Sequence, residues 1–165
     1  MTNNPYAPPK ANVDGIANAT AIEMAPPLWN PKAAVGWSLL FSPVFGALVH
    51  MKNWHALGEP DKAAQSKNWA VASGVFLLAV VILAVIFPES KAIDVATRPA
   101  GLAMLIAWYT ASAKHQSLFV AERFGGEYPR RGWGLPLLYA GLVFVAFLVA
   151  VFAIAMVAGM LSGEN

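Results

Sequence analysis

The sequence contains no cysteine and few charged residues. Of its 165 residues, 12% are Asp, Glu, Lys or Arg and 58% are hydrophobic, whereas soluble domains average about 25% charged residues. A chain of 17.6 kDa has too little interior to hide so much apolar surface from water. The absence of cysteine excludes disulfides, thiolate metal sites and cysteine nucleophiles. The composition therefore predicts a protein that uses a lipid bilayer as its solvent.

The sequence also lacks the patterns of nucleic-acid binding and of common active sites. The formal net charge is only +2, and no basic stripe with interleaved aromatic residues occurs. We find no phosphate-binding loop, Ser-His-Asp set or metal-ligand cluster. His50 and His55 are five positions apart, so on a helix their rings point in different directions and cannot share one metal ion. We predict a non-enzymatic protein with no catalytic residue, no cofactor, no metal and no nucleic-acid partner.

The N-terminal segment is rich in proline and has no apolar run. Six of the twelve prolines lie in the first 31 residues, which predicts an extended, disordered tail over residues 1–29. No basic stretch followed by an apolar stretch occurs there, so we expect no cleavable signal peptide. A single helical transmembrane domain is predicted to follow over residues 30–165.

Apolar runs with clear start and stop signals predict an all-α fold, a polytopic membrane four-helix bundle. Residues 69–87 carry no charged side chain and would span about 28 Å as a helix, close to the ~30 Å of a hydrocarbon core. Residues 135–161 are also uncharged and long enough to tilt. The predicted helices lie at about 30–57, 60–87, 97–124 and 135–161.

Pro43 and Gly46 interrupt the first predicted helix. Proline removes a backbone donor and clashes with the preceding turn, so the helix is expected to be kinked or re-entrant at this point. The tight turn at 58–60 joins helices of similar length and favours four full spans, which we expect. The re-entrant alternative places nine Lys and Arg residues on the cytoplasmic side and two on the other side, whereas four spans place seven and four. The positive-inside rule therefore favours the re-entrant alternative.

Both alternatives make the same prediction for most of the topology. Loops 52–67 and 114–133 are expected in the cytoplasm, and the C-terminus in the periplasm. The two alternatives differ over the N-terminal tail, which is periplasmic with four spans and cytoplasmic with a re-entrant first segment.

Two stretches of the sequence resemble a family of small, uncharacterised bacterial inner-membrane proteins. These are the NPYAPP run at 4–9 and the WSLLFSPVFGA run at 37–47, which is followed by NWHALG at 53–58. The resemblance covers about residues 4–70 and implies a multi-pass protein of the bacterial inner membrane with a cytoplasmic tail. Some small polytopic proteins of this kind are similar to immunity proteins that protect the inner membrane against a pore-forming toxin.

Three functional hypotheses follow. The first is an immunity protein whose partner is a membrane-targeting toxin. The second is a small channel or carrier, formed as a homo-oligomer, and the third is an accessory subunit or organiser that binds membrane lipid. The candidate partner-contacting or pore-lining residues are Ser38, Ser42, His50, Tyr109, Thr110 and Ser112. The candidate lipid-phosphate or cytoplasmic-anchor residues are Lys52, Lys62, Lys67, Arg123, Arg130 and Arg131.

Overall fold

The computed structural model describes residues 25–162, and the regular structure of this part of the chain is helical, which confirms the predicted all-α class. Most of the predicted tail lies outside the described residues. The π-helical segment Tyr109–Ala113 joins α4 to α5 without a break. The helices are α1 (Pro31–Phe41), α2 (Pro43–Ala56), α3 (Pro60–Ile86), α4 (Lys91–Trp108), α5 (Lys114–Phe124) and α6 (Gly134–Ser162).

The chain reverses direction at Ser42, between α1 and α2. Pro43 begins α2, and Ser42 has φ 82° and ψ 162°, a backbone conformation that is unusual for any residue except glycine. Two contacts show the reversal, because His50 Nε2 lies 3.3 Å from the Pro31 carbonyl oxygen and a Cβ on Gly46 would meet Ser38. The single helix expected over 30–57 is therefore two helices that form an antiparallel hairpin.

Two helices of the described residues are long and apolar enough to cross a membrane. They are α3 and the part of α6 up to Val157. None of the residues in the most apolar window of α6 is buried inside the protein, and 11% are buried in the window of α3. This exposure indicates membrane association, because so much apolar surface is unfavourable in water.

Helix α4 begins earlier than the predicted start at residue 97. The Ser90 hydroxyl accepts a 3.4 Å hydrogen bond from the backbone N–H of Ile93 and caps the helix. Asp94 and Arg98 then form an ion pair one turn apart on the exposed surface. These charged residues made the first turns of α4 resemble a loop in the sequence.

The core of the protein lies where the α1–α2 hairpin meets α3 and the end of α4. It is built around Trp108, which has no exposed surface and packs with Ala47, Ala70 and Ala113. The small alanine side chains allow the helices to approach the indole ring closely. The π-helical segment begins directly after Trp108, and insertions of this kind occur often at functional sites.

Candidate functional site

A buried amide network connects α2, α5 and the segment that precedes α1. The Asn53 carbonyl Oδ1 accepts from the backbone N–H of Trp29 at 3.1 Å, and Asn53 Nδ2 donates to the Trp29 carbonyl oxygen at 2.8 Å. Asn53 Nδ2 also donates to Gln116 Oε1 at 3.2 Å, and Gln116 Nε2 donates to the His50 carbonyl oxygen at 2.9 Å. We call Asn53, Gln116 and His50 the polar core.

The His50 ring stands edge-on to Trp108, with ring centroids 5.5 Å apart. His50 Nε2 lies 3.3 Å from the Pro31 carbonyl oxygen. His50 Nδ1 and Trp108 Nε1 have no hydrogen-bond partner among the described residues.

The loop between α5 and α6 holds the segment before α1 from its other side. The backbone N–H of Leu28 donates to the Pro129 carbonyl oxygen at 2.9 Å, and the N–H of Arg131 donates to the Leu28 carbonyl oxygen at 2.8 Å. Trp29 Nε1 donates to the Gly132 carbonyl oxygen at 3.0 Å. Both the backbone and the indole ring of Trp29 are therefore fixed by hydrogen bonds.

A lateral groove runs between the α1–α2 hairpin and α6. Its volume is about 670 Å³, within the roughly 300–1,000 Å³ usual for small-molecule sites. The lining residues of α2 recur every three to four positions, so they form one face of that helix. The lining residues of α6 have the same spacing. From α1 and α2 the groove is lined by Leu40, Phe41, Ser42, Val44, Phe45, Leu48, Val49 and Lys52. From the other elements it is lined by Trp29, Leu77, Leu135, Pro136, Tyr139, Ala140, Val143, Phe144 and Phe147.

Two cations contact Trp29 at one end of this lateral groove: Lys52 lines the groove itself, and Arg131 packs on the Trp29 ring. Lys52 Nζ lies 5.9 Å from the centroid of the Trp29 ring, and Arg131 Cζ lies 4.6 Å from it. Neither Lys52 nor Arg131 forms an ion pair with a carboxylate of residues 25–162. The rest of the lining is almost entirely apolar. The groove is therefore charged at one end and apolar along the rest of its length.

The other predicted anchor cations lie elsewhere. Lys62 pairs with Glu59 at 3.2 Å and lies 4.8 Å from the Trp54 ring centroid. Arg123 stacks against Phe119 and Phe124, and Lys67 is exposed. Of the six predicted residues, Lys52 lines the lateral groove, and Arg131 reaches the Trp29 ring at the same end.

Arg130 belongs to a separate, smaller cavity of about 130 Å³ beside the start of α1. Its guanidinium lies 5.7 Å from the Tyr128 ring centroid. Burial raises the pKa of Tyr128, and the positive charge of Arg130 opposes this shift. Arg130 and Arg131 therefore face different surroundings although they are adjacent in the chain.

The predicted pore-lining residues do not lie along one surface. Ser38, His50 and Ser112 are buried, and Ser38 Oγ donates to the Ala34 carbonyl oxygen of its own helix at 2.8 Å. Tyr109 and Thr110 are exposed, whereas Ser42 lines the lateral groove. The sequence does not predict Asn53 or Gln116 as site residues, although a polar side chain at Asn53, directly before Trp54, is a signal that could have found the first of them.

The described residues contain no group of three or more His, Asp or Glu side chains that could hold a metal ion. Comparisons with protein-family models, curated proteins and solved structures give no match to this chain.

Proposed function

We propose that this chain is a non-enzymatic integral membrane protein that binds lipid in the lateral groove and acts as an accessory subunit or membrane organiser. The observation that carries the proposal is the groove itself, an apolar cleft that opens beside an exposed apolar helix and ends at Lys52 and Trp29, with Arg131 packed on the Trp29 ring. Cations next to apolar surface match the two parts of a membrane lipid.

The dimensions of the groove support this proposal. Its α6 side extends from Leu135 to Phe147, which corresponds to about 18 Å along a helix. One leaflet of a bilayer contributes about 15 Å to a hydrocarbon core of ~30 Å. The groove therefore matches the length of one leaflet, as expected for a site that takes an acyl chain.

The topology that accompanies this function is a bundle of three spans with a re-entrant hairpin. In it α3, the continuous helix α4–α5 and α6 cross the inner membrane, while α1 and α2 enter from the cytoplasmic side and return. The antiparallel α1–α2 contacts support this arrangement over four full spans. Basic residues near the Trp29 end of the bundle outnumber Lys91 and Arg98 at the opposite end, which favours a cytoplasmic position for Trp29.

Labelling of introduced cysteines tests this topology, because the chain has none of its own. We expect cysteine at Lys32 and at Asp61 to react with a membrane-impermeant maleimide in inverted vesicles, since the hairpin keeps both on the cytoplasmic side. Cysteine at Glu89 should react in spheroplasts instead. Labelling of Lys32→Cys and Asp61→Cys from opposite sides would contradict the hairpin and restore four spans.

Filling the groove tests lipid binding. The probe is a phospholipid that carries a diazirine in its acyl chain and that should crosslink to the groove of the wild-type protein. We expect Ala140→Trp to lose most of this crosslinking, because the indole would occupy the cleft. Ala140 lines the groove, whereas Ala146 on the same helix is exposed and does not. Ala146→Trp is the matched control and should crosslink like wild type.

Crosslinked peptides identified by mass spectrometry supply a second readout that needs no variant. In the wild-type protein they should come from the α2 and α6 residues of the lateral groove. Equal labelling of all exposed faces of α6 would contradict a specific lipid site.

The immunity and channel hypotheses stay predictions from the sequence. The immunity hypothesis requires a toxin partner, and a deletion strain that is no more sensitive to kin cells would contradict it. The channel hypothesis requires the predicted pore-lining residues to line one pathway. Ser38 and His50 are buried, however, whereas Tyr109 is exposed on the surface. The lateral groove therefore supports lipid binding better than either alternative.

A further inference from the structure

We infer that the lateral groove selects an anionic glycerophospholipid, with its phosphate against Lys52 and Arg131 and one acyl chain along α6. This inference rests on the proposed lipid-binding function and adds the chemical class of the lipid. It commits to a lipid of the cytoplasmic leaflet, because the cations lie at the proposed cytoplasmic end of the groove.

The charge at the groove entrance is the first argument. Lys52 and Arg131 both lie within 6 Å of the Trp29 ring centroid, and neither belongs to an ion pair of the described residues. Two cations that have no carboxylate partner among the described residues attract a phosphate and repel the ammonium group of a zwitterionic headgroup. A headgroup without a positive charge is therefore the better complement.

The rigidity of this entrance is the second argument. Trp29 is held by Asn53 through its backbone and by the Gly132 carbonyl through its indole nitrogen. The backbone N–H of Arg131 is bonded to Leu28. The indole on which both cations rest is therefore fixed before binding, and a fixed platform loses less conformational entropy when a ligand arrives.

The continuity between entrance and cleft is the third argument. Lys52 lies on the same face of α2 as Val44, Phe45 and Leu48, all of which line the groove. The charged end and the apolar wall are thus successive turns of one helix. A molecule with a phosphate and an attached chain contacts both, whereas a free phosphate or a free hydrocarbon contacts only one.

Native mass spectrometry of the full-length protein, released from nanodiscs, tests this selectivity. The probes are phosphatidylglycerol and phosphatidylcholine with identical acyl chains. We expect wild type to retain phosphatidylglycerol in preference, and Lys52→Gln or Arg131→Gln each to weaken that binding by about fivefold, the effect of removing one cation near the membrane surface. The double variant should bind the two lipids about equally.

Matched controls come from neighbouring cations outside the groove. Arg130→Gln removes the same charge one position away, next to Tyr128, and Lys67→Gln removes an exposed charge on α3. Both should keep the wild-type preference. Equal losses for Arg130→Gln and Arg131→Gln would overturn the inference, because the effect would then come from net charge alone.

The outcomes separate this inference from the proposed function. Acyl-chain crosslinking in the groove without a preference between the two lipids would overturn the anionic selectivity and leave lipid binding in place. No lipid crosslinking in the groove would overturn both. A crosslink from groove residues to the chain's own first 24 residues, or to a second copy, would likewise overturn both by naming another occupant.

Discussion

Replacing Gly46 with alanine is expected to destabilise the protein by about 3 kcal/mol or more, at the upper end of the cost of overpacking a core. A Cβ at this position would clash with Ser38 Oγ and with two ring atoms of Trp108, one of which, Cζ2, would be 2.9 Å away. The indole is buried and cannot move without displacing the core alanines. The hairpin would therefore have to open.

Gly36 provides the control for this substitution. It lies in α1, is exposed, and a Cβ there would have no neighbour within 4 Å. Gly36→Ala should stabilise α1 by up to about 1 kcal/mol through helix propensity. Thermal unfolding of both variants in the same detergent measures the difference, and a Gly46→Ala protein as stable as wild type would contradict the closely packed hairpin.

Replacing Asn53 with alanine is expected to destabilise the protein by a similar amount, about 3 kcal/mol or more. The substitution leaves the backbone N–H and carbonyl of Trp29 and Oε1 of Gln116 without their partner. Gln116 Oε1 is buried and the two Trp29 groups are partly buried, and a buried polar group that loses its hydrogen bond costs about 1–3 kcal/mol. The segment before α1 should detach first, because Asn53 connects it directly to α2.

Amide hydrogen exchange at Trp29 is the specific measurement for this prediction. The exchange should accelerate strongly in Asn53→Ala and remain unchanged in Asn68→Ala, whose side chain is exposed on α3. Asn53→Ala should also lose lipid selectivity, because Lys52 and Arg131 both rest on the Trp29 ring. Unchanged protection at Trp29 would show that Asn53 does not hold this segment.

The long apolar helices are the part of the fold that the sequence predicts best. The helix expected over about 60–87 corresponds to Pro60–Ile86, and that over 135–161 to Gly134–Ser162. An uncharged run of the right length has few alternatives, because each buried backbone polar group in lipid must be bonded within its own helix. Pro60 at the start of α3 and Gly125 directly after α5 are likewise signals that can be read from the local sequence.

The hairpin and the lateral groove depend on contacts that no local pattern contains. Pro43 predicts an interruption, but the return of α2 along α1 depends on the fit of Ser38 against Gly46. Likewise, Lys52 and Arg131 are predicted as surface cations, yet their meeting at one indole depends on the Leu28–Arg130 bridge between distant segments. The π-helical segment after Trp108 also has no sequence signal that we could recognise.

The reversal at Ser42 has a consequence for the shape of the protein in a bilayer. In the proposed topology, α3, the continuous helix α4–α5 and α6 cross both leaflets, whereas α1 and α2 occupy area in the cytoplasmic leaflet alone. The inclusion is then a wedge, wider on the cytoplasmic side than on the periplasmic side. With that topology, the asymmetric cross-section would fit best in a membrane that is curved in the same sense.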